Sequence, residues 1–389
     1  MSSKEMFSVV RRLEFVKLAL KAQQSLSQLC RRFGISRKRG YKWKARFEHE
    51  GQRGLRDRSR RPRRSPRQLS VEWVRRIRQL RRRHRSWGSK KLRAHLYRQH
   101  RARGVPSVRT VANWLRRLKL SRFRRRWPKG PRLSPPGLTV ARRSNQVWTV
   151  DFKGWFRTQD GQRVEPLTVR DLFSRYLLAV RLLSNQSWRP VRRIFMRLFR
   201  EHGYPDIIRM DNGQPFGSSG ALGLSRLSAW WTALGIRVEF IAPGHPEQNG
   251  GHEQMHRVLK AETTRPASRH PRAQQRRTDR WVWAYNQIRP HEALGQKLPA
   301  QLYRGRPTRT RQVALKYPAG WEVRRVRSNG QIKWRGRKRF IGEAFVGYPI
   351  GLKLVGLGRH AVGFAGLRIG ELWDSDEGGM RAAQYARRL

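Results

Sequence analysis

The spacing of apolar and polar positions near the start of the chain predicts short helices separated by caps and a glycine. Ser25 and Ser36 precede helical stretches at 26–33 and 37–47, and Gly34 lies between them. Ser is a preferred helix N-cap and Gly a preferred residue just past a helix end. The pattern therefore predicts a helix-turn-helix unit at residues 8–50.

A second helical unit is predicted at residues 69–120. Periodic apolar positions indicate helices at 71–83, 89–100 and 107–118, the last with Ser107 as its N-cap. Residues 51–68 and 121–143 are rich in Arg and Pro and are predicted linkers. Plain helical bundles share these outlines, so the pattern alone leaves DNA reading and simple packing open.

The pattern changes to strands from residue 144 onward. Strands are predicted at 147–156, 164–170, 176–183, 207–210 and 237–241, and helices at 191–202, 224–234, 248–264 and 272–288. Three successive antiparallel strands followed by alternating helix and strand predict a ribonuclease-H-like α/β layer over residues 144–300.

The last part of the chain returns to short strands separated by Gly and Asn-Gly turns. They are predicted at 321–326, 331–334, 338–341, 352–357 and 361–364, which favours a small β-barrel over residues 317–375. The predicted fold class is therefore multidomain, with N-terminal all-α units, a central α/β core and a C-terminal small barrel.

Charge indicates the kind of partner. The 389 residues hold 89 Lys and Arg against 25 Asp and Glu, a net charge of +64, and no acidic residue lies between Trp73 and Val150. This excess of positive charge indicates a polyanionic partner such as nucleic acid, although a compositional bias toward Arg can explain part of the charge. The single cysteine, Cys30, excludes an internal disulfide, and no apolar run approaches the ~18 residues of a membrane span, so a cytoplasmic protein is expected.

Three acidic residues stand in settings that suit metal-ion chemistry. Asp151 lies in a predicted strand, Asp211 ends the apolar run 207–210, and Glu253 precedes a helical stretch. Two divalent ions acting on a phosphodiester need carboxylates that converge from different segments, and Mg²⁺ prefers such oxygen ligands. Taken singly, each acid has an ordinary interpretation as a turn residue, a strand-edge charge or a solvated helix residue.

The motifs around these acids resemble the DDE integrase catalytic core, and the whole chain resembles IS481-type insertion-sequence transposases. The resemblance rests on Gln146-Val147-Trp148-Thr149-Val150-Asp151, Leu172-Phe173-Ser174-Arg175-Tyr176, Asp211-Asn212-Gly213-Gln214-Pro215-Phe216, His245-Pro246 through Asn249-Gly250 to Glu253 and Leu259-Lys260, and Tyr285-Asn286 followed by Arg289-Pro290-His291-Glu292-Ala293-Leu294.

The resemblance implies metal-dependent cutting and joining of DNA at the ends of a mobile element. Water would attack a phosphodiester to free a 3′-hydroxyl, which would then attack target DNA. Asp151, Asp211 and Glu253 would be the catalytic and metal-binding residues, with Mg²⁺ or Mn²⁺, two ions, as cofactor. The partners would be double-stranded DNA of the element ends and the target, bound by at least a dimer at the bacterial nucleoid.

The third carboxylate has a competitor. Glu253 follows Asp211 after 41 intervening residues, and Glu247 follows it after 35. We favour Glu253 because it follows Asn249-Gly250 and starts a helix. Helical spacing sets His256, Arg257 and Lys260 on the same side as Glu253, where they would face DNA.

Residues expected to bind DNA lie on predicted helices of both helical units and of the core. They are Arg37, Lys38, Arg39, Lys42, Arg46, Arg109, Arg116, Arg257 and Lys260. Two alternatives to a transposase stay open. One is a catalytically decayed DNA-binding protein or regulator, against which the acidic triad argues. The other is a simple nuclease, against which the two helical readers argue.

Overall fold

The computed structural model describes residues 3–58, 69–100, 104–121, 137–242, 244–308 and 315–384. The chain divides into two compact units, Met1–Ser70 and Val71–Leu389. Most of the two predicted linkers, 59–68 and 122–136, lies outside the described residues. Over the described ranges, no helix is long and apolar enough to cross a membrane.

The first unit contains three helices, α1 (Ser3–Leu20), α2 (Leu26–Arg32) and α3 (Arg37–Glu50). The predicted caps are confirmed, since the Ser25 hydroxyl accepts a hydrogen bond from the backbone N–H of Gln28 at 3.3 Å, and Ser36 accepts one from Arg39 at 3.4 Å. A single 3₁₀ turn, Gly51–Leu55, ends the unit. Leu55 is buried in its core, so the predicted linker begins later than residue 51.

The core of the first unit is built from aromatic and aliphatic side chains around Phe15, which is fully buried. Cys30 is buried there as the small core residue that its helical position predicts. A side chain at Gly40 would come within 2.5 Å of the Cys30 sulfur, so the close approach of α2 and α3 depends on this glycine.

The second unit begins with three helices, α4 (Val71–Arg83), α5 (Ser89–Gln99) and α6 (Val108–Arg117). They match the predicted second helical unit closely, and the Ser107 hydroxyl caps α6 by accepting from the backbone N–H of Thr110 at 3.1 Å. Val111 and Leu115 of α6 are buried, as their spacing predicts. Arg109 and Arg116 lie on the exposed remainder of the helix.

A six-stranded mixed sheet follows, with β2-β3-β1-β5-β6 as its path and β4 paired with β3. Its strands are β1 (Val147–Phe152), β2 (Phe156–Arg157), β3 (Arg163–Asp171), β4 (Leu177–Leu183), β5 (Ile207–Met210) and β6 (Arg237–Phe240). The pairs β1–β3 and β3–β4 are antiparallel, and β1–β5 and β5–β6 are parallel. The predicted α/β layer is confirmed, with the first predicted strand split into β1 and β2.

Helices accompany this sheet in the predicted order. They are α7 (Trp188–His202), α8 (Arg226–Ala233), α9 (Gly250–Thr263), α10 (Pro271–Gln287) and the single turn α11 (Pro299–Leu302). The apolar stripe of α7, including Val191, Phe195 and Phe199, is buried in the main hydrophobic core. Leu177 and Val180 of β4 form a separate buried cluster with side chains of α9 and α10.

The C-terminal region is an open sheet, so the predicted small barrel is not confirmed. Among the described residues, β7 (Glu322–Arg325), β10 (Pro349–Gly356), β11 (Arg359–Phe364), β12 (Leu367–Trp373) and β13 (Arg381–Ala382) form one antiparallel sheet that ends at β7 and β13. The hairpin β8 (Gln331–Trp334) and β9 (Arg337–Phe340) forms a separate sheet. Its Trp334 belongs to the same buried cluster as Trp231 of α8, so this region shares one hydrophobic core with the α/β layer.

Candidate active site

The central strands place Asp151 and Asp211 next to each other. Strands β1 and β5 run parallel, with Val147 opposite Ile207 and Thr149 opposite Arg209. The same offset, carried two residues further, sets Asp151 beside Asp211, which directly follows β5. Pairing at the centre of a sheet fixes this register, because a slip by one residue would turn every side chain of the strand to the opposite face.

The environment of Asp151 disfavours its ionised form. Its side chain is only 19% exposed. Burial first, and then the charge of Asp211, raise the pKa of Asp151 to about 7. Asp211 is exposed as a residue, yet partial desolvation of its carboxylate raises its pKa as well, against a hydrogen bond from the Gly213 backbone. Two neighbouring carboxylates with raised pKa values form a site that a cation would stabilise.

Asn249 holds the Asp151 carboxylate from the start of α9. Its side-chain amide donates to Asp151 Oδ2 at 2.9 Å. Its carbonyl oxygen lies 3.1 Å from Nδ1 of His252, so His252 donates to Asn249 and the amide orientation is fixed from both sides. His252 is buried and neutral, since desolvation lowers its pKa well below the ordinary value. The motif residue Asn249 therefore has a contact role that the sequence did not reveal.

His256 lies on the inner side of α9, where the sequence-based prediction is wrong. We expected it to face DNA together with Glu253, but it is 6% exposed and its Nε2 lies 2.8 Å from the Thr168 hydroxyl. Helical position explains this, because residue 256 is one turn after the buried His252 and one turn before the buried Leu259.

The hydrogen bonds of Thr168 fix the tautomer of His256. The Thr168 hydroxyl gives its one hydrogen to the backbone carbonyl of Asp151 at 2.9 Å, so His256 must donate from Nε2. Burial lowers the pKa of His256 to about 3, so the ring is neutral. Its Nδ1 then carries a lone pair and lies 3.9 Å from Asp151 Oδ2, with two acceptors facing each other and no ion pair between them.

Glu253 stands apart from the aspartate pair. It lies in the first turn of α9 and is exposed, like Arg257 and Lys260 on the same helix. Within the described residues, no three His, Cys, Asp or Glu side chains lie close enough together to hold a metal ion. The side chain of its competitor Glu247 lies outside the described residues. The structure thus brings together Asp151 and Asp211 and leaves the third carboxylate a prediction.

A buried arginine anchors the start of α9 to the sheet. Arg170 of β3 donates from Nη1 to the backbone carbonyl of Gly251 at 2.7 Å and from Nε to the Thr149 hydroxyl at 3.3 Å. A side chain at Gly251 would lie 2.4 Å from Nη2 of Arg170, so only glycine lets the helix approach this closely. The sequence offered only a weak signal for this role, namely an arginine at the end of the predicted strand 164–170, directly after apolar Val169.

Glu262 ties α9 to the second helical unit. Its carboxylate accepts from Arg289 Nη1 at 3.0 Å and from Trp281 Nε1 at 2.7 Å, and the hydroxyl of Ser86, between α4 and α5, also donates to it. Burial alone would raise the pKa of Glu262, but the charge of Arg289 and the hydrogen bonds from Ser86, Trp281 and Arg289 together lower it below its ordinary value. One helix therefore carries Glu253 near its start and a contact to the helical domain near its end.

The predicted DNA-binding residues are mostly at the surface. Arg37, Lys38, Arg39 and Lys42 of α3 are exposed, whereas Arg46 of the same helix is half-buried. Within its own unit, α3 therefore presents a basic face near its N-terminus, as a DNA-reading helix requires.

Family comparisons assign the domains. Integrase core domain families match residues 141–246 and 234–299. A helix-turn-helix domain family matches residues 11–63, and a homeodomain-like domain family matches residues 39–115. The chain thus contains an integrase core domain preceded by helix-turn-helix domains.

Two relatives are proteins of bacterial insertion elements. The uncharacterized 31.7 kDa protein of insertion element IS407 from Burkholderia multivorans is 30% identical over 182 residues, covering 46% of this chain and 62% of that protein. The uncharacterized 39.2 kDa protein of insertion element IS476 from Xanthomonas euvesicatoria is 31% identical over 179 residues, covering 46% and 50%. The chain thus spans less than two thirds of either relative. Both relatives agree with the predicted resemblance to insertion-sequence proteins. The narrower resemblance to the IS481 type stays a prediction.

Two of the solved structures similar to the chain are of retroviral integrases. The HTLV-2 integrase catalytic core domain in complex with magnesium is 15% identical, with a TM-score of 0.34, and the match covers 42% of this chain and all of that one. The simian T-cell lymphotropic virus intasome in complex with a PP2A regulatory subunit is 15% identical, with a TM-score of 0.37, covering 73% and 91%. Both TM-scores are below 0.5 and add nothing to the domain assignment.

Proposed function

We propose that this protein is a DNA transposase that binds the terminal repeats of an insertion sequence and performs DNA strand cleavage and strand transfer. The observation that carries the proposal is the pair Asp151 and Asp211, neighbouring carboxylates with raised pKa values inside an integrase core domain. The insertion-element relatives and the helix-turn-helix domains support the same function.

The aspartate pair fits a divalent cation. Two adjacent carboxylates offer hard oxygen ligands. A cation would offset the desolvation that raises both pKa values and the repulsion that adds to the shift of Asp151. We propose Asp151, Asp211 and Glu253 as the metal-binding and catalytic residues for two Mg²⁺ or Mn²⁺ ions. Bound there, the ions would supply Lewis-acid stabilisation of the charge on the phosphate oxygens.

Other residues of the chain would position the substrate and the carboxylates. Asn249 holds Asp151 through the hydrogen bond at 2.9 Å. Arg257 and Lys260 are exposed on α9 and would bind phosphates near the scissile bond. Arg37, Lys38, Arg39, Lys42, Arg46, Arg109 and Arg116 would bind the terminal repeats. Joining both ends of an element requires at least two subunits on DNA, and this action would place the protein at the nucleoid in the cytoplasm.

The test is strand cleavage and strand transfer on labelled duplex DNA that carries the element's own ends. Reactions contain Mg²⁺, Mn²⁺ or a chelator, and wild type is compared with Asp211→Asn at matched DNA binding. We expect metal-dependent cleavage and joining that the variant lacks. Wild-type binding without any cleavage would favour a catalytically decayed DNA-binding protein or regulator, and cleavage without joining would favour a simple nuclease.

A further inference from the structure

A basic cleft lies where the second helical unit meets the integrase core, away from the three candidate acids. Its volume is about 660 Å³. One wall of the cleft is formed by α5 and by Val108 at the start of α6. The opposite wall is formed by the segment 295–302. Both sides belong to the same compact unit of the chain.

Four cationic side chains line this cleft, namely Lys90, Arg93, Arg98 and Lys297, and none of its described lining residues is acidic. One acid is near, since Glu292 pairs with Lys90 at 2.7 Å, but both partners of that pair are more than half exposed. Such an exposed pair is weak and can be exchanged for a different anion. The cleft therefore holds an excess of positive charge.

Two of these arginines each have a buried N–H group without a hydrogen-bond acceptor. Arg98 donates from Nη1 to the backbone carbonyl of Gln296 at 2.9 Å, but its Nη2 is buried without a hydrogen-bond partner. Arg93 lies over the ring of Tyr97 at 4.9 Å, and its Nε is also buried without a partner. The side-chain oxygen of Gln296 is a buried acceptor that also has no hydrogen-bond partner. Buried donors without acceptors are costly, and phosphate oxygens are strong acceptors for guanidinium groups.

The cleft adjoins the start of α6, a helix proposed to bind DNA. Val108 begins that helix, and its exposed face carries Arg109 and Arg116. A helix that enters a groove has the phosphate backbone running past its ends. Contacts of Ser86 with Glu262 and of Arg98 with the backbone carbonyl of Gln296 hold this helical unit on the core. Duplex DNA on α6 would therefore reach the core beside the cleft.

We propose that this cleft binds a phosphate of duplex DNA and fixes the path of the DNA from the second helical unit to the integrase core. Arg93 and Lys297 would be the principal phosphate contacts, one from each wall. The inference rests on the proposed function in one respect, that the chain binds the DNA of an element end.

The experiment measures DNA binding by the full chain in a chelator, so that cleavage plays no part. Fluorescence anisotropy with a duplex of the element's end gives Kd over a range of salt concentrations for wild type, Arg93→Ala and Lys297→Ala. Arg200→Ala is the matched control, because Arg200 is exposed on α7 and outside the cleft lining. Arg93→Lys tests whether charge restores binding, and thermal melting checks that every variant is folded.

Each cleft variant should bind roughly threefold to tenfold more weakly than the control, and its slope of log Kd against log salt should fall by about one. Slopes equal to that of Arg200→Ala would overturn the proposal. A folded Arg93→Lys that binds no better than Arg93→Ala would overturn the part assigned to Arg93.

A second arm locates the phosphate. Neutral methylphosphonate replaces single backbone phosphates, and a separate duplex lacks its 5′-phosphates. We expect one replacement to weaken wild type and to have no effect in the double variant Arg93→Ala, Lys297→Ala. An internal position identifies a backbone phosphate, and an effect of the 5′-phosphate alone identifies a DNA end. If no phosphate is coupled to the cleft, the proposal is wrong.

The two proposals fail separately in these experiments. If the wild type never cleaves DNA but the cleft variants show the predicted fall in slope, the transposase activity is overturned and the phosphate site is supported. A chain that cleaves normally but shows no coupling between cleft and phosphate would do the reverse.

Discussion

The two sides of the candidate active site are built in different ways. On the strand side, β1 and β5 place Asp151 and Asp211 together. Burial raises the pKa of both carboxyls, and the charge of Asp211 raises that of Asp151 further. On the helix side, Glu253 is exposed in the first turn of α9, and within the described part of the chain it forms no three-residue acidic group with the aspartates. The sheet therefore fixes two carboxylates at an electrostatic cost, and the helix presents the third without one.

The start of α9 sets the position of Glu253, so we expect it to decide whether the proposed site of three carboxylates forms. Three contacts set its position, from Asn249 to Asp151, from His252 to Asn249, and from Arg170 to the carbonyl of Gly251. The first and the third join α9 to the strand side, and the second holds the Asn249 side chain within the start of the helix. Binding of DNA or metal would have to act through this junction to bring Glu253 closer.

The largest effect is expected from Glu253→Gln. Loss of a metal-binding carboxylate removes several kcal/mol of transition-state stabilisation, or roughly a thousandfold or more in the rate of strand cleavage. Because Glu253 is exposed, the melting temperature should not change. Glu247→Gln is the matched control and should cleave like wild type. Activity lost in Glu247→Gln and retained in Glu253→Gln would make Glu247 the third carboxylate.

Asn249→Ala should lower strand cleavage by roughly 10- to 100-fold, the usual cost of removing a group that orients a metal ligand. It deletes the donor that holds Asp151 Oδ2 at 2.9 Å. Asn249→Asp should be worse at neutral pH, because it adds a third negative charge beside the pair. DNA binding in a chelator is the control readout and should not change. Full activity of Asn249→Ala would show that this hydrogen bond does not position Asp151.

Gly251→Ala should reduce cleavage by about tenfold and cost on the order of 1–3 kcal/mol of stability, as overpacking in a well-filled interior does. The new Cβ would lie 2.4 Å from Nη2 of Arg170, a buried group already hydrogen-bonded to this helix. Gly250→Ala is the matched control, since a side chain there meets nothing within 4 Å. Equal rates and melting temperatures in the two variants would show that Arg170 yields easily and does not set the helix.

Much of the strand side could be predicted from the sequence. The apolar run Ile207–Met210 followed by Asp211 is a buried strand with an acid at its carboxyl end, and the structure gives those bounds for β5. The alternation and turns before it predicted β1, β3 and β4 in order. Local pattern suffices to predict these strands, because each is continuous in sequence, whereas the pairing of β1 with β5 joins segments about 60 residues apart.

The helix side and the C-terminal sheet could not be predicted to the same depth. His256 satisfies the spacing for the face of Glu253 and for the face of His252 and Leu259, and only packing against Thr168 decides between them. In the C-terminal region, β12 escaped prediction because Gly370 and charged residues interrupt its alternation. Which strands pair, and whether a sheet closes, depends on contacts between distant segments.

The smallest effect concerns stability and compares the two sides directly. The pKa of Asp151 is raised from its ordinary 3.8 to about 7, so the folded protein disfavours the ionised carboxylate. This penalty is absent below pH 3.8, grows as pH rises between the two values, and is complete above about pH 7. In a chelator, Asp151→Asn should therefore melt on the order of several degrees above wild type at pH 8 and close to it at pH 4. Glu253→Gln, a substitution at an exposed side chain, is the control. Added Mg²⁺ should narrow this difference in melting temperature, because it stabilises the wild type alone. A difference that stays constant or shrinks as pH rises would contradict the electrostatic cost assigned to the strand side.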